Sequence, residues 1–401
     1  MSLELAPQQS DAIFKAKSWF DRARESGQLV FRVFGYAGTG KTTIAKMFAD
    51  MVDGRVLFAS YTGKAAHVLR EKGCMDAGTL HGLIYIPKSK SAARLRELQR
   101  EYVKQADGGA IAARLQVLRE EIQREQDNVK RPAFALNEDS PLNSASLLVI
   151  DEVSMVNEQM GEDLLTFGCP ILCLGDPAQL PPVKGGGYFT NVKPDVLLTE
   201  VHRQAKGSPV LHLATEVREG RGLGNAMEGI VFPKGQSIET LAKWDQVLVG
   251  TNKSRRVINA RMREFLGHTD AIPVVGDRLI CTRNDSETGL LNGSQWLVEF
   301  IVPSDEHTDR VQMRLKSTDD KERVVCEAHA HPFRGEEIPF FEQREAQCFE
   351  FAYAMTVHKS QGSQFDSVCL IDESHRFPEH QRRAWLYTGI TRAANDLMII
   401  R

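Results

Sequence analysis

Gly35-Tyr36-Ala37-Gly38-Thr39-Gly40-Lys41-Thr42 matches the pattern G-x-x-x-x-G-K-[ST] at every fixed position. An apolar run, Leu29–Phe34, leads into it, and helical spacing follows over Thr42–Met51. That strand–loop–helix context is what the pattern requires. Glycines let backbone N–H groups curl around phosphate oxygens where a Cβ would clash, and the helix behind the loop turns its positive end to the same anion. Gly35, Gly38, Thr39, Gly40, Lys41, Thr42 and Thr43 are therefore the candidate phosphate-cradling residues. Lys41 is assigned to the terminal phosphates and the Thr42 hydroxyl to a Mg²⁺ ion.

A phosphate loop of this kind needs a carboxylate at the end of another buried strand. Leu147-Leu148-Val149-Ile150-Asp151-Glu152 supplies it. Asp151 is the second candidate metal residue, and Glu152 the group that orients and deprotonates an attacking water. An Asp-Glu pair after an apolar strand is, on its own, an ordinary solvated turn. Beside the phosphate loop it completes a nucleotide-hydrolysing set.

Working outward, Val56–Ser60, Leu147–Ile150 and Ile171–Leu174 read as strands alternating with helical stretches, which points to a mainly parallel, doubly wound α/β sheet. Two segments break the rhythm. From about Pro87 to Arg131 the chain is polar with helical spacing (Leu95, Leu98, Tyr102, then Leu115, Leu118, Ile122) around Gly108-Gly109, which reads as two antiparallel helices. Ile86–Ala135 holds eleven Lys/Arg against seven Asp/Glu, so this arm is locally basic. From about Ile272 to Gln347, short β-like pieces (Arg278–Cys281, Gln295–Ile301, Val311–Leu315, Arg323–Cys326) alternate with Gly, Asn and Asp turns, as in a small antiparallel barrel. Strand character returns at Phe349–Met355, Ser367–Ile371 and Asp396–Ile400.

Composition removes several classes of protein. Hydrophobic residues make up 42% and charged residues 26%, a globular profile rather than a disordered one. The net charge of −3 gives no global attraction to a polyanion, so any nucleic-acid surface must be local. No apolar run approaches the ~20 residues of a membrane span, and the acidic start MSLELAPQQSDAIF is unlike a signal peptide. Seven scattered cysteines, with only Cys169 and Cys173 close together, read as buried free thiols of a cytoplasmic protein rather than a zinc site.

Further motifs resemble, in order and over almost the whole chain, the RecD-like, Dda-type branch of the superfamily 1B DNA helicases. Leu5-Ala6-Pro7-Gln8-Gln9 resembles the opening glutamine motif, with Gln9 at the adenine-reading position and Gln8 one register away. Ser60-Tyr61-Thr62-Gly63-Lys64-Ala65-Ala66 resembles motif Ia, and Gly78-Thr79-Leu80-His81-Gly82 motif Ib. Gly175-Asp176-Pro177-Ala178-Gln179-Leu180-Pro181-Pro182 matches motif III, whose glutamine senses the γ-phosphate. Glu200-Val201-His202-Arg203-Gln204 resembles motif IV, Thr356-Val357-His358-Lys359-Ser360-Gln361-Gly362 motif V, and Tyr387-Thr388-Gly389-Ile390-Thr391-Arg392-Ala393 motif VI.

The resemblance implies two RecA-like P-loop domains, with a helical insertion in the first and a small SH3-like β-barrel insertion in the second. The implied boundaries are 1–86 with 132–199 (1A), 87–131 (1B), 200–271 with 348–401 (2A) and 272–347 (2B). It implies an ATP- and Mg²⁺-dependent helicase moving 5′ to 3′ on single-stranded DNA. Lys41, Asp151, Glu152, Gln179, Arg203 and Arg392 form its catalytic set, and Gln361 and Gly362 join the nucleotide-binding residues. Thr62, Lys64, Thr79, His81, Pro181, Thr356, His358 and Lys359 are the implied nucleic-acid residues. Hydroxyls, amines and imidazoles hold a sugar-phosphate backbone without reading sequence, although each such residue alone is more often occupied with its own backbone. Guanidinium groups neutralise charge building on a γ-phosphoryl group, the role implied for Arg203 and Arg392. The implied partners are single-stranded and fork DNA, with single-strand-binding protein or replisome components as candidates, and the expected form is a compact monomeric motor. Replication, repair and recombination all use such motors. Two other readings remain open: a RecD-like subunit feeding a nuclease or recombination partner, and a translocase that displaces proteins without unwinding.

Overall fold

The computed structural model describes residues 5–87, 98, 100–102, 104–105, 114–122, 134–181, 187–201, 207–223, 229–285, 288–302, 309–318, 322–338, 342 and 345–401. Residues 81–140 form one compact unit, and 1–80 with 141–401 form the other.

The larger unit holds three sheets. The first has the strand order β3-β2-β6-β7-β1-β8. Its strands are β1 (Val30–Gly35), β2 (Val56–Ser60), β3 (Gly78–Thr79), β6 (Leu147–Asp151), β7 (Ile171–Gly175) and β8 (Val196–Leu198). Every pairing in it is parallel. Parallel sheets are covered on both faces and so carry near-continuous apolar strands. Leu147–Ile150 and the whole of β7 are accordingly buried. Helices α1 (Pro7–Phe20), α2 (Lys41–Ala49), α3 (Gly63–Glu71) and α4 (Glu158–Thr166) belong to this half. Ala12, Ala16 and Trp19 of α1 pack with Ile44, Ala45 and Phe48 of α2 over Phe31, Val33, Val149 and Leu174.

The second sheet has the order β16-β10-β17-β18-β9, again wholly parallel. Its strands are β9 (Val231–Phe232), β10 (Gln246–Val249), β16 (Ala354–Thr356), β17 (Phe365–Ile371) and β18 (Ala393–Ile400). Helices α5 (Pro209–Arg218), α6 (Asn252–Phe265) and α7 (Glu379–Ile390) accompany it. Trp385, Tyr387 and Ile390 of α7 join Leu213 and Val217 of α5 above Leu370 and Ile399.

The third sheet is antiparallel, ordered β14-β13-β12-β11-β15. It consists of β11 (Arg278–Cys281), β12 (Gln295–Ile301), β13 (Arg310–Ser317), β14 (Arg323–His329) and β15 (Phe349–Phe351). One face alone is buried, and β13 alternates accordingly, with Val311, Met313 and Leu315 in the core. The strand expected at Phe349–Met355 is two strands. β15 pairs with β11 of the antiparallel sheet and β16 with β10 of the parallel one, and the chain changes sheets at Ala352-Tyr353. Asn259 of α6 holds that corner, donating to Phe351 O and Ala354 O and accepting from Ala354 N–H.

In the smaller unit β4 (Tyr85–Pro87) pairs antiparallel with β5 (Phe134–Leu136). The described residues of 98–105 and 114–122 are helical. An Arg114–Glu101 ion pair at 3.0 Å and an Arg119-to-Tyr102 hydroxyl hydrogen bond at 2.8 Å join them. The remaining helical expectation, over 88–97, 106–113 and 123–131, lies outside the described residues. Among the described residues no helix is long and apolar enough to cross a membrane. All seven cysteines are free thiols, six of them buried and Cys348 half-buried.

A buried ionic knot ties α6 to the antiparallel sheet. Asp277 is fully buried and accepts from the Arg263 guanidinium (3.0 Å), Val274 N–H (2.8 Å) and the Tyr353 hydroxyl (2.9 Å), with His268 Nδ1 at 3.0 Å. Removing one partner of a buried pair leaves an uncompensated charge at a cost of about 3–5 kcal/mol. Asp277→Ala should therefore lower the first unfolding transition by about that amount in urea titrations, while Arg334→Ala, whose Asp309 partner is exposed, should change it by less than about 1 kcal/mol.

Candidate nucleotide site

The ends of β1 and β6 and the start of α2 frame a cavity of about 540 Å³. Gly38, Gly40, Lys41, Thr42, Thr43, Asp151 and Glu152 line it from the first sheet, and Gly362, Ser363, Gln364, Thr391 and Arg392 from the second. Gln9 and Gln179 complete the set.

Gly38 and Gly40 take φ of 77° and 80°, in the left-handed region, so the loop turns where side-chain-bearing residues would be strained. Lys41 Nζ donates to the loop carbonyls of Gly35 (2.7 Å) and Tyr36 (3.1 Å), which holds the ammonium against the curl. Thr39 is buried and braces the loop from within, donating its hydroxyl to Tyr36 O at 2.8 Å rather than lining the cavity. Gln9 accepts from Ala6 N–H and donates to Thr39 O at 3.1 Å, and a Cβ on Gly40 would stand 2.9 Å from its amide nitrogen. Gln8 instead turns to Thr199, whose N–H it accepts at 2.9 Å. The register is thus fixed in favour of Gln9 as the cavity residue.

Thr42 donates its hydroxyl to Asp151 Oδ2 at 3.0 Å. A hydroxyl and a carboxylate oxygen, side by side in the cavity, form the hard-oxygen donor set that suits Mg²⁺. Glu152 has φ 57° and ψ 47°, and among the described residues no other non-glycine has positive φ. Strain of that kind persists where the surroundings over-determine a residue, and it recurs at active sites. Burial pushes the Glu152 carboxyl above the ordinary carboxylate range. Arg392 and Lys41 pull it back, and Asp151 and Asp176 add to the rise. A carboxyl raised in this way is tuned toward a general base.

Arg392 is buried and aimed into the cavity by three intramolecular bonds: Nε to Thr388 O (3.1 Å), Nη1 to Ser363 O (3.0 Å) and Nη2 to the Thr391 hydroxyl (3.2 Å). Gln179 brings a side-chain oxygen, Oε1, that is buried and has no partner among the described residues. Such an orphan is the kind of group a bound ligand or water satisfies. Arg203 lies outside the described residues.

The two halves are joined through the loop after β7. Leu180 N–H donates to the Thr388 hydroxyl (2.9 Å), and Leu180 O accepts from Gln361 Nε2 (2.8 Å). The Tyr387 hydroxyl accepts from Ala37 N–H of the phosphate loop (2.9 Å) and donates to Asp176 (2.7 Å). Tyr387, Thr388 and Asp176 were not singled out from the sequence, although all three lie inside quoted motifs. Their role depends on a partner far away in the chain, which spacing does not encode.

The implied nucleic-acid residues have varied settings. Thr62 caps its own helix, accepting from Ala65 N–H at 3.2 Å, and Thr356 accepts from Lys359 N–H at 3.3 Å. Lys359 is ion-paired with Glu350, which also binds Arg255. Lys64 is buried with its ammonium 5.6 Å from the centre of the Phe365 ring. Burial lowers the pKa of both His81 and His358, keeping them neutral near pH 7. His81 lies beside the ring of Tyr85, His358 lies near that of Phe377, and Pro181 is exposed. Thr79 ends β3. The β16–β17 loop and the start of α3 meet closely, since a Cβ on Gly362 would lie 3.0 Å from Ala65 Cβ and 3.1 Å from Thr62 Oγ1.

A family model described as an AAA domain matches residues 5–230, more than half of the chain. The chain belongs to the AAA domain family. A second model, the UvrD-like helicase C-terminal domain, matches residues 351–400. The ATP-dependent RecD2 DNA helicase of Deinococcus radiodurans is 24% identical over 92% of this chain and 46% of its own length. The RecBCD enzyme subunit RecD of Mycobacterium tuberculosis is 25% identical over 95% of this chain and 69% of its own. The chain thus spans about half of the first relative and about two thirds of the second. Among solved structures, the Pif1 helicase from Bacteroides in complex with ADP-AlF3 and ssDNA covers 99% of this chain and 92% of its own, with TM-score 0.57 and 17% identity. The fold is that of this helicase structure, and the likeness to the two RecD relatives agrees with the RecD-like resemblance read from the motifs.

The raised Glu152 carboxyl has a consequence for stability. The native state holds its proton more tightly than the unfolded chain, so ionising Glu152 costs native stability. That cost is absent below the unfolded pKa and complete above the folded one. Glu152→Gln should therefore raise the thermal unfolding midpoint at pH 8, and the gap from wild type should close as pH falls to the ordinary carboxylate range. The same variant should lose about 10²–10⁴-fold in ATP turnover, measured as steady-state phosphate release.

Proposed function

We propose that the protein is an ATP-dependent helicase that translocates on single-stranded DNA and unwinds duplex, moving 5′ to 3′. The observation that carries this reading is the single cavity lined by the phosphate loop and Glu152 of one parallel sheet and by Arg392 of the other. Hydrolysis there draws on both halves, so closing and opening of the cleft follows the nucleotide cycle.

In this reading the first parallel sheet is domain 1A and the second is 2A, the 87–131 segment is 1B, and the antiparallel sheet is an SH3-like 2B barrel. The phosphate loop binds the triphosphate, Lys41 neutralises its terminal oxygens, and Gln9 orients the base. Thr42 and Asp151 would hold a Mg²⁺ ion, which when bound neutralises phosphate charge. Glu152 takes the proton of the attacking water. Arg392 offsets the charge that develops on the γ-phosphoryl group, an interaction worth ~10³–10⁵ in rate in related hydrolases, and Arg203 is assigned the same task. Gln179 contacts the γ-phosphate and passes its state on through Leu180, which Gln361 and Thr388 hold. Thr62, Lys64, Thr79, His81, Pro181, Thr356, His358 and Lys359 form the strand groove. For Lys359 this requires exchange of Glu350 for a phosphate. A motor subunit working beside a nuclease partner is the second reading, supported by the likeness to the mycobacterial RecD subunit.

Forked duplexes with a 5′ or a 3′ single-stranded tail test the proposal. The isolated chain should unwind the 5′-tailed fork in ATP, and unwinding of the 3′-tailed fork alone would overturn the polarity. Lys41→Ala should abolish turnover and keep single-strand binding, whereas lost binding with retained hydrolysis would refute the role of Lys41. Single-strand affinity should fall with salt at a slope of about −0.7 per phosphate contacted.

A further inference from the structure

A second cavity of about 540 Å³ adjoins the nucleotide cavity and shares a wall with it. The wall is made of two loops. Ala37 and Gln179 line the nucleotide side, and their chain neighbours Tyr36 and Ala178 line the other. The Tyr387 hydroxyl bolts the two loops together, taking the Ala37 N–H and donating to Asp176, whose other oxygen accepts from Ala178 N–H at 3.0 Å. Tyr387 itself faces the second cavity.

The lining of this second cavity carries two arginines among mostly uncharged residues. Arg218, His380 and Arg383 contribute to it, with Glu379 as the one carboxylate among its described lining residues. The Arg218 guanidinium stacks 3.7 Å from the centre of the Tyr36 ring and bonds Glu219. Arg383 is exposed, and among the described residues it has no ion-pair partner. None of these cations lines the nucleotide cavity.

We propose that this cavity is an exit vestibule for inorganic phosphate, closed by the Tyr387 bridge and drawn positive by Arg218 and Arg383. The inference rests on the ATPase reading above. After hydrolysis the freed phosphate lies deep in the cleft beside Asp151, Glu152 and Asp176, with ADP between it and the Gln9 end. An arginine-bearing cavity one loop away gives the departing dianion a direction, since cationic linings focus the field on small anions. Tyr387 holds the separating loops through one hydroxyl that accepts from Ala37 N–H and donates to Asp176. Release of that hydroxyl frees Ala37 N–H and Asp176 from each other, which lets the two loops part. Because product release limits many nucleotide-driven cycles, a gate here would link phosphate exit to the position of α7.

The test measures two steps on the same samples. Rapid quench reports ATP cleavage in a single turnover, and a fluorescent phosphate-binding protein in stopped flow reports phosphate reaching solution. Arg383→Glu, an exposed substitution, should leave cleavage within about twofold of wild type and slow phosphate appearance by about tenfold or more, within the range that charged clefts impose on ion passage. Arg383→Lys should restore release. Tyr387→Phe keeps the ring, removes the bolt and should speed release relative to cleavage. Normal cleavage with unchanged release in Arg383→Glu would overturn the vestibule alone, as would equal slowing of both steps in Arg383→Glu and Arg383→Lys. Absence of cleavage in the wild type would overturn the ATPase reading and the vestibule with it.

Discussion

The backbone of Leu180 is held at both ends by the opposite half of the molecule, its N–H by the Thr388 hydroxyl and its carbonyl by the Gln361 amide. The rest of the site depends on that clamp. Leu180 follows Gln179, whose buried, unpartnered Oε1 belongs to a residue lining the nucleotide cavity, so the residue proposed to report on the nucleotide is tied to the second sheet through its neighbour. The two parallel sheets have separate cores, and Leu180, Ala37 and Ala178 pack against the second of them. Neutral hydrogen bonds contribute about 0.5–1.5 kcal/mol each. Such bonds join the halves here, Leu180 to Thr388 and to Gln361, and Tyr387 to Ala37.

Charge accounts for the composition of the cleft. Asp151, Glu152 and Asp176 gather within it, and burial makes ionisation of Glu152 unfavourable. Arg392 and Lys41, from opposite halves, are the cations that offset it. A polyphosphate entering this cleft would meet both cations, one from each half. The mechanical side is stiffer. The Asp277 knot and the Asn259 corner fasten the antiparallel sheet to α6 of the second half.

Much of this was legible in the sequence, for physical reasons that differ by residue. The phosphate loop, β2, β11 and β12 were read in place because glycine and apolar patterning are local constraints. β10 was missed. Gln246–Val249 is a buried run of only four residues without alternation, too short for periodicity to mark it even though Asp245 and Gly250 flank it. Phe349–Met355 was read as one strand because apolar pattern does not report which sheet a residue joins. At the site, residues bonding a phosphate or their own backbone announced themselves. Tyr387, Asp176 and Thr388 did not, because each acts through a loop hundreds of residues away or on another strand. The polar residues implied for the strand groove carry the opposite lesson. Thr62, Thr356 and Lys359 each have a local partner in the structure, as their residue types favour.

The central claim is that hydrolysis at the shared cavity and grip on a nucleic-acid strand are one process, connected through the loop that carries Gln179 and Leu180. Steady-state ATP hydrolysis with and without a single-stranded oligonucleotide, at low and moderate salt, measures it most directly. The account predicts strong stimulation by the strand that weakens as salt rises. Hydrolysis indifferent to the strand would leave the phosphate site intact and contradict the coupled motor.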